Sequence, residues 1–171
     1  MKEISNQNFG LIIAYILPGF TTLWGIGQFS RTVQVWFAIH PDIAPTVAGF
    51  LYVTIASLGL GVMINTIRRH TIDGIHHYTG VKKISWDYRS LQKNITAIEF
   101  VIANQFRFHQ FHGNMFLSVL FSFAAYEIAI PNWEWSHWVS FLVIESLLWF
   151  GSRDNLRNYY RRLEDILGSK V

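Results

Sequence analysis

Apolar residues along the chain fall into four long runs, and polar or charged stretches separate them. The runs cover residues 9–29, 47–67, 113–130 and 137–152. A helix needs about 20 mostly apolar residues to cross a bilayer, within roughly 17 to 25, and the runs reach or approach that length. The pattern therefore predicts an all-α integral membrane protein with four transmembrane helices.

Lysine and arginine are distributed unevenly around these runs. Every one of them except Arg31 lies before the first run, between the second and third, or after the fourth. Loops on the cytoplasmic side of a membrane carry an excess of basic residues. This rule predicts that both termini lie in the cytoplasm and that the membrane is a bacterial inner membrane. The chain then divides into a first transmembrane hairpin (1–67), a cytoplasmic helical segment (68–112), a second hairpin (113–152) and an amphipathic tail (153–171).

The cytoplasmic segment has a second regularity, which continues up to the third apolar run. Residues 86–112 contain no glycine or proline, and apolar positions and histidines recur at alternating steps of four and three. This spacing predicts a helix with one packing seam, continuous with the third span as a stalk. The seam would pack on the tail of the same chain or between copies, through Leu91, Ile95, Ile98, Ile102, His109 and His112.

The composition agrees with lipid contact. The chain of 171 residues is 51% hydrophobic and 15% charged, whereas soluble domains average about 25% charged residues. Cysteine is absent, which excludes disulfides and thiolate metal sites. Basic residues at the cytoplasmic face are expected to bind anionic lipid headgroups or a protein partner, and these are Arg68, Arg69, Lys82, Lys83, Arg157, Arg161 and Arg162.

A few polar residues interrupt the apolar runs. Glu145 lies near the middle of the fourth run, Glu127 lies near the outer end of the third, and Asn65 lies in the second. Ionisable groups at membrane depth usually face a bundle interior or an aqueous path, so these three are candidate pore residues. Pro18 and Gly19 interrupt the first run and predict a hinge, because proline removes a helical hydrogen bond.

Five of the seven histidines belong to the cytoplasmic segment, namely His70, His76, His77, His109 and His112. Their position at the cytoplasmic ends of apolar runs resembles the histidine clusters of membrane di-iron desaturases and hydroxylases. Those families carry more histidines, in tighter boxes. The resemblance implies a metal-dependent enzyme that acts on lipid at the cytoplasmic interface.

The distribution of charge and intramembrane acids favours a different, non-enzymatic function. We expect a small homo-oligomer that forms or gates an ion path, or perturbs the membrane, under the control of a cytoplasmic protein partner. Small bacterial defence effectors and accessory subunits are similar in outline, and such a function needs no cofactor. A scaffold or receptor subunit of a larger complex is a further alternative, and nucleic acid or a nucleotide is a less favoured partner.

Overall fold

The computed structural model describes residues 10, 12–38, 44–83, 92–131 and 134–167. The regular secondary structure in these residues is helical, with turns and short loops between the helices and no strand. Leu91 of the expected seam lies outside them. The elements in chain order are a π-helical turn (Ile12–Ile16), α1 (Leu17–Gly27), α2 (Arg31–Trp36), α3 (Val47–His70), α4 (Ile72–Tyr78), α5 (Ile95–Val101), a second π-helical turn (Ile102–Phe106), α6 (Arg107–Ala129) and α7 (Trp135–Leu167).

The prediction of four membrane spans is wrong. Within the described ranges, one helical stretch, Val47–Tyr78, is long and apolar enough to cross a membrane, and it could do so by length and composition. The apolar helix over Ile12–Gly27 is shorter than a span requires. The helices α6 and α7 are long enough to cross a membrane, but their polar side chains lower their mean hydropathy. Asn114 and Ser118 lie on the buried face of α6, and the second half of α7 is charged.

The apolar part of the Val47–Tyr78 stretch ends at residue 67. Arg68 follows it directly, and the short helix α4 contributes Asp73 and His76. These side chains are too polar to lie in hydrocarbon, since a charged residue at the bilayer centre costs about 2.5–3.5 kcal/mol on insertion scales. A span formed by this stretch would therefore occupy residues 47–67.

The helices α1 and α3 pack with their backbones almost in contact. A Cβ atom added to Gly19 would lie 1.7 Å from the carbonyl oxygen of Ser57, and one added to Gly61 would lie 2.0 Å from that of Tyr15. Only glycine leaves room for such an approach. Ser57 and Gly61 of α3 therefore lie on the face that meets the preceding helical segment. Gly59 is the exception, because a Cβ atom added there would have no neighbour within 4 Å.

Pro18 is accommodated by a local change of helix type. The turn before it is π-helical, and α1 begins at Leu17 with the proline in its first turn. In an α-helix the N–H of residue 18 would donate to the carbonyl of Ala14, but proline has no N–H. The Asn114 side chain from α6 donates to that oxygen instead, at 2.8 Å. The expected hinge is thus tied to a neighbouring helix by a buried hydrogen bond.

The fourth apolar run and the tail form one uninterrupted helix, α7, of 33 residues. It runs antiparallel to α6, which is itself continuous with α5 through the second π-helical turn. Ring pairs mark the alignment of the two helices: Phe123 lies 4.0 Å from Phe141, and Phe116 lies 5.4 Å from Trp149, measured between centroids.

A compact apolar cluster closes the end of the bundle that contains the tail. Ile98 of the expected seam is buried there, Ile102 packs against the cluster, and Ile95 is exposed. The seam therefore packs within the chain, on the second half of α7. The buried members of the cluster are Val81, Ile98, Val101, Leu156, Tyr159 and Leu163.

The opposite end of the bundle leaves large apolar side chains exposed. On α3 these include Val47 at 80% and Phe50 at 70% exposure, and on α7 Trp135 at 74% and Leu147 at 66%. Exposed apolar side chains of this size are typical of surfaces that contact lipid or another protein.

Candidate polar site in the helix bundle

Arg68, the first polar residue after the apolar part of α3, has a fully buried side chain. Its Nη1 donates to Asp73 Oδ1 at 2.5 Å and lies 2.7 Å from His109 Nε2, while its Nη2 donates to Asn65 Oδ1 at 3.2 Å. A buried arginine needs such partners, because an unpaired buried charge is costly. The structure thus corrects two expectations: Arg68 does not reach lipid headgroups, and Asn65 supports Arg68.

His109 joins this ion pair to α7. Its Nε2 lies 3.0 Å from Asp73 Oδ1, and its Nδ1 lies 2.9 Å from the carbonyl oxygen of Ser152 and 3.0 Å from its Oγ. In the neutral ring Nδ1–H donates to the carbonyl, and Nε2 accepts from Arg68. His109 Nε2 thus lies between the Arg68 guanidinium and the Asp73 carboxylate.

His76 lies on the other side of Ser152. Its Nε2 is 3.2 Å from Ser152 Oγ, and its ring centroid is 4.7 Å from that of Trp149. Its side chain is fully buried, and among the described residues its Nδ1 has no hydrogen-bond partner. Burial, followed by the charge of His109, lowers the pKa of His76 to about 4. The ring is therefore neutral at pH 7, and the serine hydroxyl bridges two imidazoles.

Asp73 connects the buried groups to the surface, because its side chain is 19% exposed. Burial raises the pKa of Asp73, but the contact with His109 and the charge of Arg68 together lower it by more. The pKa of Asp73 therefore lies below its usual range, and the carboxylate balances the buried guanidinium. We call Arg68, Asp73, His76, His109 and Ser152 the polar network.

The order Asp73–His109–Ser152 has the residue types of a hydrolase triad, but the geometry does not activate the serine. A nucleophilic serine needs an unprotonated nitrogen beside its Oγ and access to a substrate. Here the Ser152 carbonyl holds the proton on the nitrogen that faces the hydroxyl, and the Ser152 side chain is fully buried. Neither requirement is met here, so the Ser152 hydroxyl is not activated as a nucleophile.

The five histidines proposed as metal ligands do not form one set. Only His76 and His109 come together, with ring centroids 6.0 Å apart. His70, His77 and His112 each place Nδ1 against a nearby backbone carbonyl. In the part of the chain that the structure describes, no group of three or more His, Cys, Asp or Glu residues could hold a metal ion.

Glu145 is the buried acid of the apolar half of α7. It is 7% exposed, and neither carboxyl oxygen has a hydrogen-bond partner within the described ranges. It precedes Ser152 by seven residues, so the two side chains share one face of the helix. A carboxylate without hydrogen bonds is costly in a buried site, which favours the neutral acid. Glu127 has one buried oxygen, Oε1, that is likewise unpaired among the residues described.

A groove of about 360 Å³ opens between α1, α6 and α7, on the side of Glu145 away from the polar network. Its walls are mainly aromatic and aliphatic. Ile144, the neighbour of Glu145 on α7, lines one end, and His137, two turns earlier, lines the other. The lining residues are Thr21, Trp24, Val119, Ser122, Phe123, Tyr126, His137, Ser140, Phe141 and Ile144.

The sequence pattern gives no indication of the roles of Asp73 and Ser152 or of the groove. Asp73 and Ser152 are ordinary residues of a short helix and of a long one, and the groove has no local pattern. The spacing of seven residues between Glu145 and Ser152 could have predicted that the two side chains share a helix face. The other basic residues expected at headgroups are exposed, namely Arg69, Lys82, Lys83, Arg157, Arg161 and Arg162.

Comparison with known proteins finds no protein-family model, no curated protein and no solved structure that matches this chain.

Proposed function

We propose that this chain is a membrane protein that conducts protons through its helix bundle. The observation that carries the proposal is Glu145, a buried carboxyl without hydrogen-bond partners in the described residues. It shares a helix face with the polar network. Ionisable residues that face the interior of a membrane protein are associated with ion pathways and proton relays.

The path would begin at Asp73, which is the partly exposed member of the network. A proton passes to His109, whose ring contacts both Asp73 and Ser152, and then across the Ser152 hydroxyl to His76. Glu145 lies about 10 Å further along α7, from seven residues at about 1.5 Å each. That distance exceeds one hydrogen bond, so the transfer from the network to Glu145 requires intervening water.

The proposal includes a location and an assembly. The exposed apolar surface of α3 and α7 would lie in lipid or against a second copy of the chain, in a bacterial inner membrane. The exposed basic residues would face anionic headgroups and a regulatory protein partner on the cytoplasmic side. Oligomer, partner and orientation are all part of the proposal.

The test is proton flux in liposomes. The purified chain is reconstituted into vesicles of phosphatidylcholine and phosphatidylglycerol that contain a pH-sensitive dye, and a potassium gradient with valinomycin supplies the driving voltage. We expect flux above that of empty vesicles, and a loss of at least about tenfold in Glu145→Gln, because the amide cannot bind and release a proton. The matched control is Glu99→Gln, which changes an exposed acid on α5.

Two results would overturn the proposal. One is wild-type flux equal to that of protein-free vesicles at several protein-to-lipid ratios. The other is equal flux in Glu145→Gln and wild type. Circular dichroism on the same vesicles establishes that the variant is folded. Asp73→Asn tests the entrance independently, and it should slow the flux while the Glu99→Gln control does not.

A further inference from the structure

Trp149 lies between Glu145 and the polar network on the face of α7 that both share. Glu145, Trp149 and Ser152 follow each other at steps of four and three residues, so their side chains project from one side of the helix. A helical side chain leans toward the N-terminus of its helix and covers the preceding turn. The indole of Trp149 therefore covers the turn that begins at Glu145.

Two rings from other helices pack against this indole. The His76 ring of α4 lies 4.7 Å from it and the Phe116 ring of α6 lies 5.4 Å from it, measured between centroids. His76 also contacts Ser152 through Nε2, so the indole lies directly against the last member of the proposed proton path. We call Trp149 and Phe116 the aromatic layer.

The alignment of α6 and α7 gives the aromatic layer the same position. Gly113 faces Ser152, because a Cβ atom added to Gly113 would lie 3.2 Å from Ser152 Oγ. Phe116 follows Gly113 by three residues, and Trp149 precedes Ser152 by three. Since the two helices are antiparallel, both steps lead away from the polar network in the same direction. That direction along α7 is toward Glu145.

The polar atoms on either side of the aromatic layer are unpaired. His76 Nδ1 and both carboxyl oxygens of Glu145 are buried, and none of them has a hydrogen-bond partner among the residues that the structure describes. A chain of water between His76 and Glu145 would satisfy such atoms, but the indole packs against the His76 ring. Where apolar side chains narrow a path, water is excluded and permeation stops.

We infer that the aromatic layer is a barrier to water and that Trp149 is its gating residue, so that a proton crosses from the polar network to Glu145 only while the indole is displaced from His76. The barrier itself is independent of proton conduction, whereas its role as a gate rests on the proposed function. Removal of the indole would admit water, because His76 and Glu145 offer the polar partners that a buried water needs.

A single thiol tests the barrier. The chain contains no cysteine, so Glu145→Cys introduces one thiol beyond the aromatic layer. The protein in detergent micelles is treated with a permanently charged methanethiosulfonate, which reacts with the thiolate in water, and mass spectrometry follows the labelled fraction. We expect Trp149→Ala to accelerate labelling at least about tenfold, because it removes the apolar obstruction. The matched control is Phe150→Ala, which removes a ring from the neighbouring exposed position and should leave the rate unchanged.

Two further variants separate the barrier from a general loosening of the fold. Trp149→Phe keeps a ring in the aromatic layer, and position 145 should then label as slowly as it does with Trp149 present. Phe116→Ala opens the aromatic layer from α6, and it should accelerate labelling even where Trp149→Ala does not fold. Circular dichroism in the same micelles establishes which variants are folded.

The gate is tested in the vesicle assay, with Glu145 in place. Trp149→Ala should raise proton flux at least about threefold, since the obstruction is gone, and the added substitution Glu145→Gln should remove the increase. An increase that persists without the acid would show a leak through a damaged bundle and would overturn the gate.

Two labelling results would overturn the barrier. One is fast labelling of position 145 with Trp149 present, because water would already reach the site. The other is equal labelling with and without the rings of the aromatic layer. Labelling reports water and not protons. An absence of wild-type flux would therefore overturn the proposed function and leave the barrier intact, and unchanged labelling would overturn the barrier and leave the dependence of flux on Glu145 intact.

Discussion

The near-contact between α1 and α3 permits a comparison of two alanine substitutions on the same helix. In Gly61→Ala the new Cβ atom would lie 2.0 Å from the Tyr15 carbonyl oxygen and 2.7 Å from its carbon. In Gly59→Ala the new Cβ would have no atom within 4 Å. The two positions lie two residues apart in the interior of α3. Gly61 faces the π-helical turn that precedes α1, and Gly59 faces away from it.

The expected difference in unfolding free energy between the two variants follows once the contribution that they share is removed. Each replaces glycine in a helix interior and gains about 1 kcal/mol of helix propensity. This gain cancels in their difference, which leaves the cost of overpacking at residue 61, typically about 1–3 kcal/mol. The atoms met by the Cβ of residue 61 belong to the backbone of Tyr15, so no rotamer change relieves the contact. We expect a difference near the upper end of that range, about 3 kcal/mol.

The assay is thermal unfolding in one detergent, followed by circular dichroism at one scan rate. For a chain of this size, 1 kcal/mol corresponds to roughly 2–4 °C. Gly61→Ala should therefore unfold about 6–12 °C below Gly59→Ala, and Gly59→Ala should unfold at or slightly above the wild-type temperature. Unfolding temperatures of the two variants within about 2 °C of each other would refute the close packing of the Ile12–Ile16 turn on α3.

Two further predictions concern buried polar groups. Asn114→Ala should destabilise the chain by about 1 kcal/mol or more by leaving the Ala14 carbonyl without its side-chain donor. The loss should be smaller in a Pro18→Ala background, because residue 18 then has a backbone N–H that can donate to the same carbonyl. Thermal unfolding of the wild type, the two single variants and the double variant measures this coupling. Additive effects of the two substitutions would show that the reasoning is wrong. Between about pH 6.5 and pH 4 the unfolded chain protonates His76 while the folded chain does not, so stability should fall as the pH falls, by up to about 3 kcal/mol. His76→Gln should remove that share of the pH dependence, and an unchanged pH profile of the unfolding temperature would contradict a buried neutral ring.

Local spacing predicted some of the helical packing. Ile98 and Ile102 were identified because a helix repeats its contacts at steps of three and four, and both pack on α7. The count of spans failed for a related reason. Hydropathy adds up apolar residues, but it does not show that Asn114 and Ser118 lie on the buried face of α6 and bind other helices or the preceding turn.

The polar network could not be predicted because its members meet only in three dimensions. Asp73 and His109 are 36 residues apart, and His109 and Ser152 are 43 apart. Arg68 read alone is a typical basic residue at the end of an apolar run, which suggested headgroup contact. Such a side chain turns toward the bundle interior only where a carboxylate is available there to pair with it. Here the carboxylate is Asp73, and the packing of α4 on α3 brings it next to Arg68.

The polar network also imposes an order on biosynthesis. Its first charge, Arg68, is made 84 residues before Ser152, which holds the ring of His109 in place. At roughly 5–20 residues per second, that interval lasts about 4 to 17 s. Throughout it, the nascent chain has a cation and an acid whose final burial awaits α7. Completion of the bundle therefore depends on α7, which leaves the ribosome after the other described helices, and a chain that terminates before residue 152 would expose both charges to proteolytic quality control.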